Sequence, residues 1–117
     1  MPFDWTGGAL ARGLRCYCNQ EFFDAHEHWE EVWLKCDEPE KTFLQGLIQI
    51  TAAFHHLQRG NPTGTSSLLR AALRRLESFP AEYSGVAVEE LRTSIRRWLD
   101  ALSAESEPPQ IPFPHIR

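Results

Sequence analysis

Cysteine is scarce in this chain and poorly placed for a metal centre. Cys16, Cys18 and Cys36 are odd in number and match no zinc-ligand spacing. Cys16 and Cys18 diverge if their segment is helical, so they cannot pinch an ion together. All three are expected to be free thiols, which points to a reducing cytoplasm. No glycine-rich phosphate loop is present, and no Ser-His-Asp or Cys-His pattern supports nucleophilic chemistry. The chain also lacks a long apolar run. Its longest uncharged stretch, 42–58, contains Gln, Thr and His, which suits a buried helix and not a membrane span. Residues 1–8 have neither the basic start nor the apolar stretch of a signal peptide. Positive charge is in deficit too. The formal net charge of −4 removes any overall attraction to nucleic acid or anionic lipid. Arg70, Arg74 and Arg75 are too small a cluster to reverse that. The expectations are therefore no nucleic acid and no membrane as partners, with homo-oligomer formation left open.

What is present suits a packed helical domain. Apolar residues make up 42% of 117, and four Trp with seven Phe supply enough bulk for a core without disulfides. No segment alternates as a half-buried strand would, whereas helical periodicity recurs. The expected architecture is all-α: one compact bundle of about five helices over 1–107, then a Pro-rich tail over 108–117. The helices are expected near 6–18, 20–36, 39–59, 62–79 and 87–103. Asn19 and Asn61 read as N-caps, Pro62 as a first helical residue, Gly60 as a C-terminal cap and 80–85 as a loop. In the tail, four prolines favour an extended path. Ile111, Phe113 and Ile116 give it apolar groups with which to dock on the bundle.

Charge is segregated along the chain. Residues 21–40 hold eight acids against Lys35 alone, and 41–76 hold no acid but carry Lys41, Arg59, Arg70, Arg74 and Arg75. Within the acidic helix, stepping about 100° per residue places His26 and Glu30 among Phe22, Phe23, Trp29 and Trp33. Glu27, Glu31 and His28 fall on the other side. A carboxylate on a buried face needs a partner. The next helix shows the complement: Gln45, Gln49, His56 and Arg59 form one stripe of an otherwise apolar helix. The two stripes are therefore expected to meet, with Trp29 and Trp33 as apolar walls.

The stretch His26-x-x-x-Glu30-x-x-Trp33 resembles the signature of domain of unknown function family 309. The likeness continues through Phe43–Gln49 and through Ala52–Pro62 with Gly64. The resemblance implies a small all-helical fold and a suggested, unestablished role for the His/Glu pair in metal binding. On that reading a divalent metal ion is held by His26, Glu30 and His56, supported by Glu27, Trp29, Trp33, Gln45 and Gln49. A catalytic zinc site needs three protein ligands and an open position. The alternative is a non-catalytic structural or protein-interaction module in which His26, Glu30, Gln49 and His56 form a buried hydrogen-bond network. Whether the chain is an enzyme is not readable from these residues.

Overall fold

A computed structural model of the protein describes residues 3–104 and 111–117. It contains five helices: α1 (Gly8–Cys18), α2 (Phe22–Trp33), α3 (Glu40–Gln58), α4 (Pro62–Leu76) and α5 (Val88–Ser103). α1 packs on α2, α2 on α3, α3 on α4 and α4 on α5. The result measures 42 × 27 × 20 Å. Residues 108–110 of the expected tail lie outside the described residues.

The local sequence explains most boundaries. Asn61 caps α4, its side chain accepting from the Gly64 N–H at 3.0 Å, and Pro62 follows where its missing N–H costs nothing. Gly60 takes the left-handed conformation (φ 75°) just past the end of α3. The α1–α2 corner differs from expectation. Asn19 ends α1 and does not begin α2: Gln20 adopts φ 61°, and the Glu21 N–H turns back onto the Cys16 carbonyl at 2.8 Å. α2 closes at Trp33 in tight turns, Lys35 N–H to Val32 O and Cys36 N–H to Trp33 O. α4 stops at Leu76, short of Phe79.

The expected loop at 80–85 holds a minimal hairpin. β1 (Glu82–Tyr83) pairs antiparallel with β2 (Val86–Ala87), so the described residues are not wholly free of sheet. Ser84 and Gly85 supply the positive φ values, 51° and 81°, that a two-residue hairpin turn requires. Both ends of the chain lean on this turn. Trp5 Nε1 donates to Ser84 O at 2.8 Å, and Arg117 Nη1 donates to Gly85 O at 3.1 Å.

α3 is the axis of the core, burying Phe43, Leu44, Leu47, Ile50, Ala53 and Phe54. Phe54 packs against Phe22, Trp98 and Phe113, joining α2, α5 and the C-terminal segment. Backbone carbonyls of that segment are also held: Trp98 Nε1 donates to Pro112 O and the Tyr17 hydroxyl to Pro114 O. The end of α4 is secured by a buried cation. Arg92 of α5 donates to the carbonyls of Leu76 and Phe79 at 2.7 and 2.8 Å and to Glu89 at 2.8 Å. It thereby satisfies acceptors that a helix terminus leaves open.

Candidate functional site

α2 turns Phe22, Ala25 and Trp29 inward. Trp29 lies flat on Tyr17 of α1 and donates to Leu10 O at 3.1 Å. That inward arc is rotated away from the one read off the aromatic residues, because Phe23 is not part of it: Phe23 is 52% exposed. His26 and Glu30 rotate outward with it. Their side chains are 31% and 51% exposed, and His26 Nε2 stands 3.4 Å from Glu30 Oε2. The expected buried His/Glu site between the second and third helices is therefore corrected to a half-exposed pair on the outer face of α2. Glu27 and Glu31 are exposed and His28 is half-buried.

His26 and His56 are not brought together. His56 stays with its own turn, its Nδ1 accepting from Asn61 Nδ2 at 3.2 Å. It is His55, one residue earlier, that reaches toward α2, packing on the Phe23 ring with centroids 5.3 Å apart. Phe23 in turn stacks on the His26 ring. His26 Nδ1 is buried without a hydrogen-bond partner among the described residues. Gln49 is engaged elsewhere, accepting from Arg75 Nε at 3.1 Å. The buried network of His26, Glu30, Gln49 and His56 thus does not form.

These residues do not fit the metal that the resemblance implies. A catalytic zinc needs three protein donors. Among the described residues no group of three His, Cys, Asp or Glu side chains could hold an ion. His26 and Glu30 alone converge.

A different arrangement occupies the same surface. The two exposed large apolar side chains of the described residues, Phe23 and Leu34 (66% exposed), both border one shallow groove along α2. His26, Glu27, Glu30 and Glu31 line it between them, in a space of about 300 Å³. Helical spacing allows this, since positions 23, 27, 30, 31 and 34 share one face, whereas the arc drawn from the aromatic residues had set Glu27 and Glu31 apart from Glu30. Leu34 is the residue that sequence reasoning passed over, and an apolar pair bracketing three acids was the signal.

Of the polar stripe of α3, Gln45 lines a second groove, between the end of α2 and α4. Trp33, Glu38, Lys41, Thr42, Gln45 and Arg75 line one part of it. Thr42, Ala71, Arg74, Arg75 and Ser78 line the adjoining part. Lys41 Nζ sits 4.2 Å above the centre of the Trp33 ring.

Comparisons with known proteins agree with this fold. A conserved hypothetical protein of Thermus thermophilus, TTHA0068, has a crystal structure that superposes with a TM-score of 0.67 at 33% identity, over 86% of this chain and 99% of that one. An uncharacterised protein of Aquifex aeolicus (strain VF5) is 30% identical over 94 residues, which is 80% of this chain and 28% of that protein. The uncharacterised protein YpuF of Bacillus subtilis (strain 168) is 32% identical over 93 residues, 78% of this chain and 50% of YpuF. The chain thus spans half or less of the length of these two relatives. No helix among the described residues is long and apolar enough to cross a membrane. The family model described as "Domain of unknown function (DUF309)" matches residues 10–68, and the chain belongs to that family.

Proposed function

We propose that this chain is a non-catalytic protein-interaction module whose docking face is the outer side of α2. Its partner is a protein segment that forms an amphipathic helix, with Lys or Arg flanking an apolar anchor. One observation carries the reading: Phe23 and Leu34 are left exposed on the same groove, with three glutamates lining it between them. A partner that covers Phe23 and Leu34 removes both apolar groups from water, which favours association. On the partner, the apolar residues that meet this face recur at i, i+3, i+4 and i+7, the pattern of an amphipathic helix. The acidic rim selects for positive charge and speeds encounter. The length of the relatives supports the same reading, since a unit of this size also occurs within longer chains.

The test is an amide-resolved NMR titration with a synthetic amphipathic Leu/Lys helix, run beside its Leu/Glu counterpart. The Leu/Lys peptide is expected to shift residues 23–34 saturably, and more weakly as salt rises. Replacing Phe23 and Leu34 together by Ala should weaken binding by about tenfold or more, as loss of central anchors does. Glu30→Gln should flatten the salt dependence. Equal binding of the Leu/Glu peptide, or shifts centred on another face, would overturn the proposal. So would stoichiometric zinc binding at His26 and Glu30, which would restore the metal reading.

A further inference from the structure

We propose that the second groove, beside Gln45 of α3, is a binding site for a phosphorylated small molecule. Three cations line it: Lys41 at the start of α3 on one part, Arg74 near the end of α4 on the other, and Arg75 on both. Two of the three are held in place by neutral groups. The Gln49 amide oxygen fixes Arg75, and the Trp33 ring face carries the Lys41 ammonium. A cation positioned by an amide or an indole keeps its full charge in that contact, whereas one positioned by a carboxylate does not. Here, among the described residues lining the groove, only Glu38 lies near enough to offset part of that charge. No ion pair involves Lys41, Arg74 or Arg75 among the described residues. The sequence accounts for this, since 41–76 contains no acid.

The one carboxylate at the groove is already committed. Glu38 accepts from the Thr42 N–H and hydroxyl at 2.8 and 2.7 Å, capping the first turn of α3. Those hydrogen bonds, aided by Lys41 and Arg75, hold its carboxyl below the usual range, so it stays ionised beside the cations. The larger part of the groove offers about 380 Å³. That is within the size range of small-molecule sites. Arg75 presents its remaining N–H donors in the fork geometry that suits phosphate oxygens, while Lys41 acts as a point charge. The Trp33 ring and Ala71 add apolar wall for the body of the ligand. On a net-acidic chain, a cationic groove of this size favours a small anion over an extended polyanion.

The probes are inorganic phosphate and pyrophosphate, titrated at constant ionic strength and followed by amide shifts. A single-stranded oligothymidylate and sodium sulfate serve as comparison arms. Saturable one-to-one binding is expected, tighter for pyrophosphate, with shifts centred on Thr42, Gln45, Arg75 and Ser78. Arg75→Gln and Arg74→Gln should each weaken it by about tenfold. Neither arginine is buried, so these variants should fold, and unchanged melting curves would verify that. Gln49→Leu, which removes only the group that positions Arg75, should weaken pyrophosphate more than sulfate. Non-saturating shifts, sulfate matching pyrophosphate, or indifference to both arginine variants would overturn the proposal. Oligothymidylate binding more tightly than pyrophosphate would overturn it in favour of a nucleic-acid surface.

Discussion

Replacing Gly13 by Ala sets two known effects against each other. Gly13 is buried in the middle of α1, where Ala is the better helix former by about 1 kcal/mol. On propensity alone the variant should gain stability. But a Cβ built at Gly13 falls 2.9 Å from Cε2 of Trp29 and closer still to Nε1 and Cδ1. The indole has little room to yield. It is fully buried, stacked on Tyr17, and its N–H is bonded to Leu10 O. Overpacking of this kind costs about 1–3 kcal/mol. If the ring turns aside, the N–H also loses its acceptor inside the core, at a further cost of about 1–3 kcal/mol. Subtracting the propensity gain leaves a net loss of about 1–5 kcal/mol for a ring that turns aside. Gly46 is the control. Its Cβ would stand 3.2 Å from the Cγ and Cδ2 atoms of Leu76, an aliphatic side chain that can shift a few tenths of an ångström. Gly46→Ala should therefore stay within about 1 kcal/mol of the wild type, since the propensity gain offsets the crowding. Urea unfolding followed by circular dichroism measures both variants, with the midpoint shift read at constant slope. A Gly13→Ala protein as stable as the wild type, or one less affected than Gly46→Ala, would refute the account of how α1 meets α2.

Arg92→Leu should destabilise the fold by about 2–4 kcal/mol, because removing a charged donor leaves the Leu76 and Phe79 carbonyls open in a buried place; a loss below about 0.5 kcal/mol in thermal unfolding, the size of an ordinary surface change, would contradict it. Alkali should unfold the protein through its tyrosines. Burial pushes the Tyr17 hydroxyl far above its ordinary range, and burial with the Glu40 contact pushes Tyr83 up to about 12. Above about pH 10 the unfolded chain has released these protons and the folded chain has not. Stability then falls with rising pH, by about 1.4 kcal/mol per pH unit for each retained proton. Tyr17→Phe should lose some stability at pH 7, since Pro114 O loses its donor, yet show a shallower decline in the alkaline range; equal slopes in the two proteins would show that Tyr17 ionises normally. Acid should act in the opposite sense at Glu38. Its carboxyl is held low by the Thr42 hydrogen bonds, so that contribution is present at neutral pH and lost as pH falls through the lowered value. Thr42→Val should therefore reduce the acid sensitivity, and an unchanged acid transition would count against the cap.

The helices were legible in the sequence because local chemistry sets them. The Asn61-Pro62 start of α4 and the Gly60 stop of α3 depend on groups within a few residues, and the structure has both. Period alone gives six inward positions on α5, since that helix has one clearly apolar side: Val88, Leu91, Ile95 and Trp98 are buried, and Leu99 and Leu102 are half-buried. The hairpin at 82–87 escaped because two-residue strands leave no alternation to detect. The corner at Gln20 escaped because a non-glycine residue at positive φ gives no sequence signal.

The candidate site divides along the same line. That Phe23, His26, Glu27, Glu30, Glu31 and Leu34 lie near one another follows from helical geometry, and the sequence determined it by itself. Whether that side met α3 or water did not follow. Aromatic residues span more of α2 than its neighbours can cover, and only the positions of α1 and α3 decide which ring is left out. Packing excluded Phe23, and His26 and Glu30 went outward with it. The polar stripe of α3 was likewise visible, but its partner was set by α4, which brings Arg75 to Gln49 from 26 residues away. Periodicity fixes angles around a single helix axis. The rotation of each helix against its neighbours is settled only when all the side chains pack at once.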